Sequence, residues 1–106
     1  SIVAAARTAL ELAEQGVQSA GDLPRFQALS MQNPDDHQAR FDLAAALFVA
    51  GDREGAVDVL LEIVSRDRAW NDEAARKQLV KYFDAFGQTD PLTVDGRRRL
   101  SSILFS

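Results

Sequence analysis

The sequence predicts an all-α chain of about six helices, paired as antiparallel hairpins in a short right-handed solenoid, and three features of its pattern carry that expectation. Apolar residues recur at spacings of three and four, and no run alternates as a half-buried strand would. Gly21, Asn33-Pro34, Gly51, Gly87 and Asp90-Pro91 punctuate the chain and leave segments of helical length between them. Ala44 and Ala56 place alanine-sized residues in successive segments, which lets two helix backbones approach closely.

The first helix is expected over residues 2–19, rich in Ala and Leu with Leu10 and Leu12, weakening at Gly16 and Gly21. Asp22 is the expected cap of the second, with Pro24 in the first turn where its missing N–H costs little, and an end near Asn33. Asp35 with Gln38 three residues on resembles a capping box for the third, roughly 36–50, closed by Gly51 in a left-handed position. Asp52 can cap the fourth, whose stripe is Ala56, Leu60, Ile63 and Val64 and which stops near Arg66. Residues 67–70 form its exit, where Trp70 either plugs a hairpin junction or anchors a partner. Asn71 is expected to cap the fifth, with Asp72 and Glu73 beside its positive end, a buried stripe of Ala75, Leu79, Phe83 and Phe86, and Gly87 as its stop. Asp90-Pro91 opens the sixth, with Val94, Leu100, Ile103 and Leu104 as its apolar positions.

Composition narrows the function classes. At 106 residues the chain is the size of one domain, 1–106, and 46% hydrophobic with 26% charged residues is a folding composition. Sixteen acidic against twelve basic residues give a net charge of −4, which disfavours nucleic acid. Without cysteine there is no disulfide, thiolate nucleophile or cysteine metal site within these residues. The longest apolar stretches, such as 43–50, are far short of a membrane span, and no secretory leader pattern is present, so a soluble cytoplasmic protein is expected. A start at Ser1 without methionine suggests a piece of a longer chain.

The middle of the chain carries a repeat. The tetratricopeptide spacing W-x2-L-G-x2-Y…A-x3-F…P reads here as Arg40-x2-Leu43-Ala44-x2-Leu47, then Ala56-x3-Leu60, so the best repeat is 37–68. Leu43, Leu47 and Leu60 are expected to fill the seam that Ala44 and Ala56 bring together. Pro34 occupies the repeat-ending position, and Arg68 stands in its place about one 34-residue repeat later. Arg40 and Leu47 replace the signature Trp and Tyr, leaving one good repeat between two degenerate hairpins.

Asn33-Pro34-Asp35-Asp36, the 51–56 stretch Gly-Asp-Arg-Glu-Gly-Ala with Leu60-Leu61, Phe86-Gly87 with Asp90-Pro91, and the ending from Arg97 to Phe105 together resemble one family over nearly the whole chain. It is similar to the C-terminal tetratricopeptide domain of bacterial YbbN-type thioredoxin-like co-chaperones, or chaperedoxins. The resemblance implies an upstream thioredoxin-fold domain and a role in holding unfolded client proteins and passing them to the chaperonin.

Two surfaces are candidates for partner binding. Phe41, Ala45, Phe48 and Val49 form the face of the third helix left over after the seam, and they are either a groove for an apolar helix or unfolded segment, or simply core. Gln38, Asp42 and Ala45 cannot supply the Lys and Asn of a carboxylate clamp. The terminal helix offers Arg97, Arg98 and Arg99 before Leu100, Ile103, Leu104 and Phe105, which read as a docking helix or as packing with solvated arginines. His37 is the only histidine, read as a surface residue, and Asp35-Asp36 and Asp72-Glu73 suit capping at helix starts. No catalytic, cofactor or metal residues are therefore expected, and the chain reads as a non-enzyme. A client- or chaperonin-binding adaptor and a structural or self-associating dimeric domain both remain open.

Overall fold

A computed structural model describes residues 2–105, and the side chains of 4–14 and 21–105. Ser1, on which the expectation of a preceding segment rests, lies outside the described residues. Six helices follow in order: α1 (Ile2–Ala20), α2 (Leu23–Gln32), α3 (His37–Val49), α4 (Arg53–Arg66), α5 (Trp70–Phe86) and α6 (Pro91–Leu104). The all-α repeat architecture expected from the pattern is what the chain adopts.

The α3–α4 hairpin is the best-formed unit. Asp36 caps α3, its Oδ1 accepting from the Ala39 N–H at 3.0 Å. Asp35 was the expected cap, but the turn after Asn33 shifts the register by one: the Asn33 Oδ1 takes the Asp35 N–H, and Gln38 reaches forward to Asp42 rather than back. At the far end the Asp52 N–H bonds Leu47 O and the Gly51 N–H bonds Phe48 O, a Schellman closure that requires Gly51 at its φ of +94°. Asp52 then caps α4 through Gly55 N at 2.8 Å. Ala44 and Ala56 are both fully buried, as close helix approach demands.

Arg40, standing where the repeat pattern has Trp, keeps its guanidinium half-buried and pairs with Glu62 at 3.6 Å. Glu62 also accepts from Arg66 Nε at 2.7 Å, and Arg66 lies 3.6 Å from Asp35. The Arg66 hydrogen bond is the main reason the Glu62 carboxyl sits below its ordinary pKa, with the two guanidinium charges adding to it.

Three expectations about helix ends and stripes are corrected. Asp22 makes no side-chain cap bond, and only its carbonyl enters the helix, accepting from Phe26 N. Asn71 does not cap α5: Asn71, Asp72 and Glu73 take left-handed φ values of 48°, 56° and 59°, so the right-handed spiral begins after them. Their acids are held by cations further along, Asp72 by Lys77 at 2.9 Å and Glu73 by Arg76 at 3.1 Å. Val94, one of the apolar positions expected of α6, does not join the core and is 59% exposed, while Thr93 and Gly96 are buried. Thr93 Oγ1 donates to the Phe83 carbonyl at 3.4 Å, and Gly96 lies so close that a Cβ there would meet the Phe83 ring at 2.6 Å. These two contacts set the rotation of α6 and turn Val94 outward.

The largest departure concerns α1. Short loops imply sequential hairpins, yet α1 packs principally on α3 and α5 rather than on its neighbour α2. Among the described side chains of α1, Ala5, Thr8, Ala9, Leu12 and Ala13 are the covered ones, spaced as one helical stripe, with Leu12 only 1% exposed. Leu10, on the opposite side, is 61% exposed. Helix α2 packs principally on α3, and none of its residues is completely buried.

Candidate functional site

The α3 face of Phe41, Ala45, Phe48 and Val49 is built into the fold. Phe41 meets Trp70 at 5.6 Å between ring centroids, and Trp70 also takes the edge of His37 at 6.0 Å. Trp70 therefore plugs the junction between the α3 start and the α5 start, and His37 is half-buried rather than a surface residue. Phe48 stacks on Tyr82 at 4.9 Å, and Phe86 closes the cluster at 6.2 Å from Phe48 and 6.1 Å from Tyr82. Ala45, flanked by the two phenylalanines, is buried, and Val49 is half-buried. Helix α1 packs on the same two helices, α3 and α5.

Electrostatics follow from that burial. Desolvation pushes the Tyr82 phenol up to about 12, with the Gln78 amide pulling weakly the other way. Burial also raises Asp42, partly offset by its hydrogen bond from Gln38 and reinforced by the nearby Asp36 charge. Arg53 sits 4.7 Å over the Phe86 ring and pairs with Asp90 at 3.3 Å, while Asp90 caps α6 through Leu92 N at 2.8 Å. One guanidinium thus ties the start of α4 to the end of α5 and the start of α6.

The terminal helix is more open. Leu100 is buried against the core, Ile103 and Leu104 are half-buried, and Phe105 is 84% exposed. A cavity of about 340 Å³ opens between α5 and α6, lined by Val80, Phe83, Arg97, Leu100, Ser101 and Leu104. Arg98 and Arg99 do not face it as free charges: Arg98 pairs with Asp95 at 2.6 Å, and Arg99 with Asp58 at 2.7 Å. Arg97 lies 5.9 Å over the Phe83 ring and has no carboxylate within ion-pair distance among the described residues. Arg68 donates to Leu104 O at 3.3 Å and closes the end of α6. Sequence reasoning placed Arg97 on the candidate terminal helix but missed Val80, although an apolar residue off the Ala75-Leu79-Phe83 stripe was a readable sign of an exposed patch.

A second cavity, about 450 Å³, lies where the end of α2 meets α3 and α4, floored by Met31, Pro34, Leu43 and Val59 and rimmed by Arg40 and Glu62. Among the described residues no three His, Asp or Glu side chains converge as a metal site, and no helix is long and apolar enough to cross a membrane.

The sequence agrees with this architecture. The tetratricopeptide repeat family model matches residues 16–105, beginning inside α1 and running through α6. No curated protein and no solved structure matches the chain. With most of its length covered by that match and its helices packed as repeat hairpins, the chain belongs to the tetratricopeptide repeat family, whose repeats mediate contacts between proteins.

Proposed function

We propose that this chain is the protein-holding module of a cytoplasmic thioredoxin-like co-chaperone, taking up unfolded client segments or docking to the chaperonin, with a thioredoxin-fold domain upstream. Its membership of a protein-binding repeat family and the chaperedoxin-like stretches of its sequence support the reading. The observation that carries it is the open apolar cleft between α5 and α6. Val80 and Leu104 line it, Phe105 next to Leu104 in the chain is exposed, and Arg97 supplies a cation not engaged by any carboxylate among the described residues. Apolar side chains gathered in a cleft and left in water are typical of a surface that meets another protein.

Of the residues first considered, Leu100 and Leu104 line this cleft, whereas Phe41, Ala45 and Phe48 are engaged within the fold. Arg98 acts through its pairing with Asp95. The test is the pair of variants Leu104→Glu and Val80→Glu. Each should lose retention on immobilised chaperonin and suppression of aggregation of a chemically unfolded protein, with unchanged helicity by circular dichroism. Undiminished capture by both variants would overturn the proposal.

A further inference from the structure

Helices α5 and α6 are pinned to each other near their loop and share a cavity beyond it. At the loop end Thr93 Oγ1 bonds the Phe83 carbonyl, and Gly96 sits against the Phe83 ring. Further along, Val80 on α5 and Leu100 and Leu104 on α6 line the cavity of about 340 Å³ rather than a packed seam. The two helices pack less closely than α3 and α4 do. That preceding hairpin has α5 laid against it, on α4 and, through Tyr82, on Phe48 of α3. The α5–α6 cavity is lined by these two helices alone, so among the described residues no further helix covers it. An apolar face at the end of a row of stacked hairpins needs such a cover.

The chemistry of the lining is one-sided. Arg97, Leu100, Ser101 and Leu104 follow the i, i+3, i+4, i+7 register of one face of α6. The chain carries sixteen acidic residues against twelve basic ones, yet no carboxylate lines this cavity. Arg98 and Arg99 are committed to Asp95 and Asp58, which leaves Arg97 as the one α6 cation without a carboxylate among the described residues. Lys81, which follows Val80 on α5, is exposed and has none either. A guanidinium beside an apolar floor selects a carboxylate carried next to apolar side chains, because the acid completes a charge-assisted hydrogen bond while its neighbours cover the floor.

We infer that the α5–α6 cleft takes an acidic amphipathic helix of a partner protein, whose carboxylate meets Arg97 and whose apolar side chains enter between Val80 and Leu104. Arg97 and Leu104 are two helical turns apart on α6, about 10 Å along its axis, so the partner's apolar residues lie one and two turns from its acid. The inference rests on the adaptor reading of this cleft, to which it adds the ligand class.

The probe is a fluorescein-labelled helical peptide of about 18 residues, built on Ala and Gln with leucines at i±3 and i±7 around a central Glu, read by anisotropy against the full chain. The same peptide with Gln in place of that Glu should bind at least about ten-fold more weakly, the worth of one charge-assisted hydrogen bond. Arg97→Gln should bind both peptides alike, and Arg97→Glu should prefer a peptide with Lys in the central place, each with unchanged helicity by circular dichroism. Equal affinity of the wild type for the Glu and Gln peptides, a preference that survives Arg97→Gln, or no binding of either peptide overturns the inference. So does a dimer in sedimentation equilibrium that Leu104→Glu breaks, since a second copy then fills the cleft. Chaperonin retention and aggregation suppression are read separately. Their survival in both Leu104→Glu and Val80→Glu sinks the adaptor reading, whereas their loss beside equal Glu and Gln affinities sinks this inference alone.

Discussion

Phe48 and Tyr82 lie face to face, ring centroids 4.9 Å apart and planes 13° from parallel, and this stack joins α3 to α5. Tyr82 is 1% exposed beneath it. A side chain that sequence alone offered as either groove or core is thereby committed to holding two helices together.

Phe48→Ala is expected to cost about 2–3 kcal/mol, somewhat below the usual range for a wholly buried phenylalanine because Phe48 keeps part of its edge in water. Urea unfolding followed by far-ultraviolet circular dichroism measures it. A cost under about 0.5 kcal/mol, the level of an ordinary surface change, would contradict the stack.

Tyr82 is the only tyrosine of the chain, so its ionisation can be read alone at 295 nm. Its folded pKa of about 12 stands above the ordinary 10.0 because burial disfavours the phenolate. The stability it contributes is complete below pH 10 and is lost as pH rises toward 12. Linkage puts the loss at roughly 3 kcal/mol at the alkaline end. Tyr82→Phe should flatten stability between those limits relative to wild type. Titration of the folded wild type near 10 would contradict the burial.

Gly96→Ala should destabilise the fold by about 1–3 kcal/mol through the clash with the Phe83 ring, although alanine is the better helix former by about 1 kcal/mol. Its companion, Val94→Ala, two residues earlier and exposed, should be nearly silent. The pair of melting curves discriminates the observed rotation of α6 from the one with Val94 inside.

Asp72→Gly should raise Tm by about 2–5 °C by relieving a left-handed conformation that glycine adopts freely. Asp72→Val should lower it, because a β-branched residue is worst suited to positive φ. Opposite signs by differential scanning calorimetry would show that the first turn of α5 is right-handed.

Acid should weaken the α3–α4 edge. Glu62 is held below its ordinary pKa by Arg66, so its contribution is present above that ordinary value and is lost as pH falls through the lowered one. Glu62→Gln should remove that part of the acid dependence. Urea midpoints measured from pH 6 down to 3 check it.

Helix number, the α3–α4 repeat, the Asp52 and Asp90 caps and the closures at Gly51 and Gly87 were all legible in the amino-acid order. Each depends on groups within about five residues of one another, and residue chemistry fixes such local bonds with little help from elsewhere. Ala44 and Ala56 were legible for a related reason: small size permits a close approach whichever neighbour arrives. What residues cannot announce locally is which distant surface will cover them. Phe48 turned toward Tyr82, α6 turned Thr93 and Gly96 inward at the expense of Val94, and α1 crossed to α3 and α5 instead of folding back on α2. Those outcomes were decided by the shape fit of side chains far apart in sequence, where one ring or one absent Cβ sets the rotation of a whole helix.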